Sequence, residues 1–188
     1  MDKIIVQEVS KHAVTSPEAL SNITPETIEL SAENCIKRHV IAAMGIGLIP
    51  SAVLDVAGIT AIEVKMIRDL AKIYNFPVPN RLVAVKALIS LIGSIGPVYL
   101  STKMHAALKG VPLLGYAVFA GLLSITGGAA VYGVGKIFQK HFESGGIFLN
   151  SENLLIRDYF KKQYREGKRI AKQYVGEMRD SASTVLNV

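Results

Sequence analysis

Tryptophan is absent from the chain, and cysteine occurs once, at Cys35. A single cysteine excludes an internal disulfide framework and fits a reducing compartment. Charge is missing altogether between Lys109 and Lys136. That gap exceeds the roughly 20 apolar residues a helix needs to cross the hydrocarbon core of a bilayer. The N-terminal MDKIIVQEVSKH lacks the apolar core, about 7–15 residues long, of a secretory signal, so export by a cleaved signal is not expected. Half of the 188 residues are apolar and the mean hydropathy is positive. The balance suits two membrane segments with a sizeable polar remainder.

The apolar residues concentrate in Leu82–Gly135. LVAVKALISLIGSIGPVYL is followed by a polar break, STKMHAALKG, and then by VPLLGYAVFAGLLSITGGAAVYGVG. We read 82–135 as a hydrophobic helical hairpin. Its tip carries Lys103, His105 and Lys109, and Pro97 and Pro112 flank the tip, where proline ends or kinks a helix. In the second arm Ala117, Ala120, Gly121, Ser124 and Gly128 are small residues at helical spacing. Such residues let helix backbones approach closely in lipid, here as a packing or homo-oligomer face. An alanine- and glycine-rich helix also yields these spacings by chance.

The flanks read as helices, which makes the fold class all-α. We divide the chain into an N-terminal helical extension (1–37), a helical membrane domain (38–149) and a basic amphipathic helix with its tail (150–188). Ser16-Pro17-Glu18 and Thr24-Pro25-Glu26 are two start signals, each with a capping hydroxyl, a proline at the first helical position and an acid in the first turn. The second opens a helix over roughly 25–47, which Pro50 interrupts. The next helix, to about Tyr74, places Val56, Ile59, Ile62, Met66, Ile67, Leu70 and Ile73 on one face. Glu63, Lys65, Arg68, Asp69 and Lys72 are assigned to the other side, with Lys65–Asp69 an i,i+4 pair. Residues 75–80 form a stiff linker around Pro77 and Pro79. Gly145-Gly146 stops the second hairpin arm, 147–149 is an extended connector, and Asn150 or Ser151 caps a last helix to about Arg179. Gly167 weakens the middle of that helix by roughly 1 kcal/mol relative to Ala.

Net charge is +6, unevenly spread: 136–188 carries ten Lys/Arg against six Asp/Glu, whereas 1–39 carries four against six. In the last helix Lys161, Lys162, Arg165, Lys168, Arg169 and Lys172 are interleaved with Tyr159, Phe160, Tyr164 and Tyr174. This pattern fits contact with an anionic lipid surface. It also fits nucleic acid, a partner disfavoured by the interspersed acids, and it fits aromatics that simply pack on the core. Arg81, Lys86, Lys136 and Lys140 at the open end of the hairpin outnumber Lys103 and Lys109 at its tip, which favours cytoplasmic termini.

Catalytic chemistry is sought without success. The nearest text to a phosphate-binding loop, Ala130 to Ile137, has Ala130 for the first glycine and Ile137 where a magnesium ligand belongs. The histidines at 12, 39, 105 and 141 are far apart, no paired ligand is read beside them, and metal binding is set aside. Asp55 interrupts an otherwise apolar run. A carboxylate at membrane depth is costly and marks an ion or proton site, whereas a carboxylate in a first helical turn favours the positive end of the dipole.

GIGLIPSAVLDVAGITAIEVKMIRDLAKIYNFPV at Gly45–Val78 and VGKIFQKHFESGGIFL at Val134–Leu149 resemble the helical membrane domain of unknown function found at the C-terminus of YcjF-type bacterial inner-membrane proteins. In some relatives that domain stands beside a GTP-binding domain. The matching positions in the first block are Ile49, Pro50, Asp55, Lys65, Met66, Ile67, Arg68 and Tyr74. The second Ile-Pro step of the family pattern is replaced here by Ser51-Ala52. The resemblance spans roughly 38–165. It implies a helical fold with two membrane segments, the bacterial inner membrane as location, no enzymatic activity and no cofactor. It allows a separate GTP-binding protein as partner. Three readings follow: a non-enzymatic scaffold or assembly factor on the lipid bilayer; a pore-forming or soluble-to-membrane switching protein with a sheathed hairpin; and a small channel or transporter subunit using Asp55.

Overall fold

The computed structural model describes residues 24–48, 52–92 and 116–186. They are helical throughout apart from turns: α1 (Pro25–Ile46), α2 (Ala52–Ile73), α3 (residues 81–92), α4 (Tyr116–Glu143), a 3-10 turn (Phe148–Asn150) and α5 (Asn153–Leu186). The all-α expectation holds for these residues.

Local chemistry sets the ends. Thr24 caps α1, its Oγ1 accepting from the Thr27 N–H at 3.3 Å, with Pro25 at the first position. Asn80, at the end of the proline linker, does the same for α3, its Oδ1 accepting from the Val83 N–H at 2.9 Å. The C-termini of α2 and α4 share one closing motif. After α2, the Phe76 N–H donates to the Ala71 carbonyl (2.7 Å) and the Asn75 N–H to Lys72 (3.1 Å), with Asn75 at φ 51°. After α4, the Gly146 N–H donates to His141 (2.8 Å) and the Gly145 N–H to Phe142 (3.0 Å), with Gly145 at φ 68°. Both are Schellman turns that need a left-handed residue just past the helix.

α4 is the hub and packs on α1, α2 and α5. Ile36 lies beside Gly135 and Met44 beside Gly128, so α1 runs antiparallel to α4. Ile59 near Gly127 and Met66 near Gly135 make α2 parallel to it. Phe160 lies on Gly133, and Gly167 lies on Ala129 and Tyr132, so α5 is antiparallel. The core between them holds Ile36, Val40, Met66, Ile67, Leu70, Phe138, Ile156 and Phe160, all with at most 2% exposure.

Several expectations are corrected. Among the described residues one helix, Gly121–Glu143, is long and apolar enough to cross a bilayer, and about two thirds of its apolar window is buried inside the chain itself. The hairpin over 82–135 is therefore not established as a pair: of the expected first arm only 82–92, within α3, is described, and the rest of that arm and the tip with Lys103, His105 and Lys109 lie outside the described residues. The Ser16 start signal lies outside them as well. The connector after Gly146 is a 3-10 turn rather than extended, so α5 begins at Asn153. α5 continues to Leu186, beyond the expected end near Arg179. Glu63 is buried at 1% exposure, not on the polar side of α2. It follows Ile59 by four residues and precedes Met66 by three, so helical geometry puts it in the apolar stripe whatever its charge.

Candidate functional site

Three places in the bundle bear on function: the surroundings of α4, the outer face of α5, and a polar cluster where α1 crosses α2.

Around α4, Ser124 and Gly128 are turned inward. The backbone at Ser124 lies against Gly47, where an added Cβ would stand 2.8 Å from the Ser124 Cα, and Gly128 is covered by Met44 and Val40. At Ser124 the close backbone approach is made within the chain, to Gly47 just past α1, whereas Gly128 is covered by side chains of α1. Gly121 has open space beside it. Ala117 and Ala120 lie in α4, and Asp55 lies in α2, but their side chains fall outside the described residues. Leu122 and Leu48, near this end of the bundle, are about half exposed (51% and 54%). At the other end of α4, Lys136 crosses to α1, where its Nζ donates to Glu33 and, at 2.8 Å, to Gln139 Oε1. Both charges are largely covered. The Tyr74 hydroxyl donates to Glu143 Oε1 at 3.0 Å, joining the ends of α2 and α4.

On α5 the aromatics turn inward and the cations outward. Phe160 and Tyr164 are buried and Tyr159 and Tyr174 half-buried, which is the core-packing alternative for these rings. Lys161, Lys162, Arg165, Arg169 and Lys172 are exposed, and Lys168 lies over the Tyr164 ring at 5.0 Å from its centroid. Arg169 grips Glu166 through two nitrogens, with a shortest distance of 2.6 Å. The guanidinium holds the Glu166 carboxyl below its ordinary range. Lys161 pairs with Asp158 at 3.2 Å. The face is basic but partly neutralised by its own i,i+3 acids. Apolar residues are also exposed: Leu154 and Leu155 at the start of α5, and Leu82 and Ile89 on one side of α3.

A cavity of about 390 Å³ lies between α3, the 3-10 turn and α5, lined in part by Ser90, Leu91, His141, Asn150 and Ile156. Among the described lining residues His141 is the ionisable one, and its Nδ1 accepts from the Leu149 N–H at 3.3 Å.

The third place was not anticipated. Cys35 and His39 sit one turn apart on α1, and α2 brings Asp69 against them. The His39 Nδ1 is 2.8 Å from the Cys35 carbonyl oxygen, and Nε2 is 3.7 Å from Asp69 Oδ2. Cys35 is fully buried, His39 is 7% exposed, and the Asp69 side chain is 25% exposed. Lys65 donates to Asp69 Oδ2 at 2.5 Å as expected, and Lys72 lies 3.9 Å from the other oxygen. Burial pushes the Cys35 thiol above its ordinary range and Asp69 adds to this, while Arg38 and Lys65 act in the opposite sense. The signal available in the sequence was the Cys-x-x-x-His spacing. Reading the histidines as having no paired His or Cys at metal-ligand spacing passes over it.

Comparison with known proteins bears on the whole chain. Residues 15–169 match the family described as a domain of unknown function, DUF697. The chain is similar to "Magnetosome membrane protein 22" of Magnetospirillum gryphiswaldense, with 32% identity over 151 residues that cover 79% of this chain and 77% of the relative. No solved structure matches.

Proposed function

The chain belongs to the DUF697 family, and on that premise we propose that it is a non-enzymatic, membrane-associated helical protein that serves as a scaffold or assembly factor on a bacterial membrane. The observation that carries this reading is the similarity, over most of both chains, to a protein named for the magnetosome membrane. Supporting it are the apolar helix Gly121–Glu143 and the uncharged run that precedes it. Exposed leucines at 82, 122, 154 and 155 have no polar cover to lose on meeting lipid. The cations at 161, 162, 165, 168, 169 and 172 would face anionic headgroups, each worth about 1 kcal/mol near such a surface. The cytoplasmic membrane of a bacterium is the proposed location.

A second reading, the soluble-to-membrane switch, is favoured by one observation: most of the apolar helix is sheathed by its own chain. Fractionation separates the two. The expressed protein is washed with alkaline carbonate without detergent. Retention in the membrane pellet supports the integral reading. Recovery as a monodisperse soluble species that binds anionic vesicles only on mixing supports the switch. A soluble species that ignores vesicles overturns both.

A further inference from the structure

The His39 ring poses a question of protons. Its Nδ1 lies 2.8 Å from a backbone carbonyl, which can only accept, so Nδ1 carries the hydrogen. In the neutral ring Nε2 is then a bare acceptor. It faces Asp69 Oδ2, a second acceptor, at 3.7 Å. Two acceptors so placed leave room for a cation between them, although Asp69 Oδ2 already accepts from Lys65 at 2.5 Å. A shared proton would draw the atoms to about 2.7–2.9 Å, the distance of charge-assisted hydrogen bonds. The observed gap is too long for that. Tetrahedral bonds of about 2.0–2.2 Å to nitrogen and oxygen separate two such ligands by roughly 3.3–3.5 Å, so the two atoms need close by only a few tenths of an ångström to share one metal ion.

A third donor completes the set. The Cys35 sulfur, one imidazole nitrogen and one Asp69 oxygen all lie within 4.8 Å of one another; the sulfur stands 3.8 Å from Nδ1 and has to turn toward the Asp69 side to join an ion held on Nε2. We propose that Cys35, His39 and Asp69 form a binding site for a divalent transition-metal ion of the zinc or cobalt class, clamping α1 to α2. The donor set of thiolate, imidazole and carboxylate suits a borderline-soft ion and not calcium or magnesium, which take oxygen ligands. The His39–Cys35 carbonyl bond is the outer contact that commonly fixes the tautomer of a ligating histidine. Cys35 and His39 are buried while Asp69 reaches the surface, so the fourth position opens to solvent and takes water. The resident cations do not close the site. The Lys65 side chain is 69% exposed and swings into water at little cost when a dication takes its oxygen. Binding replaces the thiol proton with the metal and releases that proton to solvent.

The test is a cobalt(II) titration of the full chain. The expected result is one ion per chain with a thiolate-to-cobalt charge-transfer band in the near ultraviolet, displaced by zinc. His39→Gln lowers the affinity at least tenfold, and Cys35→Ser abolishes the band. Absence of the band in the wild-type protein, or affinity unchanged in His39→Gln, overturns the site. Because Cys35 is in the core, a second measurement spares it. Zinc slows alkylation of the chain's one thiol at least tenfold in the wild-type protein and not in Asp69→Asn, whose side chain keeps its shape. An alkylation rate indifferent to zinc overturns the proposal even if Cys35→Ser fails to fold.

Discussion

A glycine-to-alanine change inside a helix ordinarily stabilises by up to about 1 kcal/mol, because alanine has the higher helix propensity. α5 contains two glycines that must respond with opposite signs. At Gly176 an added Cβ meets nothing within 4 Å, so Gly176→Ala gains about 0.5–1 kcal/mol. At Gly167 the added Cβ stands 2.8 Å from the Tyr132 Cβ and 3.0 Å from both the Cα and the carbonyl oxygen of Ala129. Carbon contacts are comfortable at about 3.5–4.0 Å. α5 must therefore lift from α4 by roughly 0.5–1 Å, since two of the three obstructing atoms are backbone and no rotamer relieves them. The lift loosens Phe160 and Ala171, both fully buried. Overpacking of this kind costs about 1–3 kcal/mol. Against a propensity gain near 1, Gly167→Ala loses up to about 2 kcal/mol net. The assay is thermal unfolding followed by far-UV circular dichroism, where each kcal/mol moves the midpoint by about 2–4 °C in a chain of this size. A midpoint that rises equally in the two variants refutes the claim that Gly167 is there for the contact between α5 and α4.

Glu33→Ala leaves the Lys136 ammonium, 15% exposed, with the neutral Gln139 Oε1 beside it; a loss of about 2 kcal/mol in the same assay is expected, short of the roughly 3–5 of a fully buried pair. Tyr74 gives a pH signature. Burial first, and the neighbouring Glu143 after it, hold its phenol well above the ordinary tyrosine range. A group whose folded pKa lies above its unfolded value contributes stability below the unfolded pKa, and that stability drains away as pH rises through about 10 and beyond. Tyr74→Phe should flatten the fall in melting temperature above about pH 10; an unchanged slope would show that Tyr74 is not the group responsible. Gly145→Ala forces a Cβ into φ 68° and should cost about 1 kcal/mol, against no loss for the same change at Gly121.

Ends of helices were legible and interiors less so, for a physical reason. Thr24-Pro25-Glu26 and Gly145-Gly146 act through hydrogen bonds between near neighbours, so the text alone placed them. The Asn80 cap uses the same chemistry but was hidden in a proline linker. Glu63 was misplaced because its charge was given more weight than its position, though the three- and four-residue steps around it are those of the apolar stripe. The site at Cys35 and His39 needs Asp69, which lies on another helix, and only tertiary packing supplies it. Gly167 read as a weakness because propensity counts the helix alone and not the neighbour pressed against it.

The apolar helix is where the sequence is most ambiguous, and the packing narrows what it can do. An uncharged run looks the same whether lipid or other helices cover it. Residues 127–135 of α4 are buried on every side by α1, α2 and α5. Sending all of Gly121–Glu143 into a bilayer would strip those neighbours. Ile36, Met66, Ile67 and Phe160 would face water at about 1.5–3 kcal/mol each. Lipid would return little to α4, since hydrocarbon tails and leucines are nearly equivalent surroundings. Lys136 would also leave Glu33 and lie within the apolar segment, at a cost of about 2.5–3.5 kcal/mol at bilayer depth. These terms all oppose insertion of the C-terminal half of α4. They do not touch its N-terminal end, where Leu122 and Leu48 are already exposed and the preceding sequence is uncharged back to Lys109. These terms favour a helical bundle that keeps its core and its ion pair in place, and the end at Leu48 and Leu122 is the part of α4 on which they set no cost for contact with lipid.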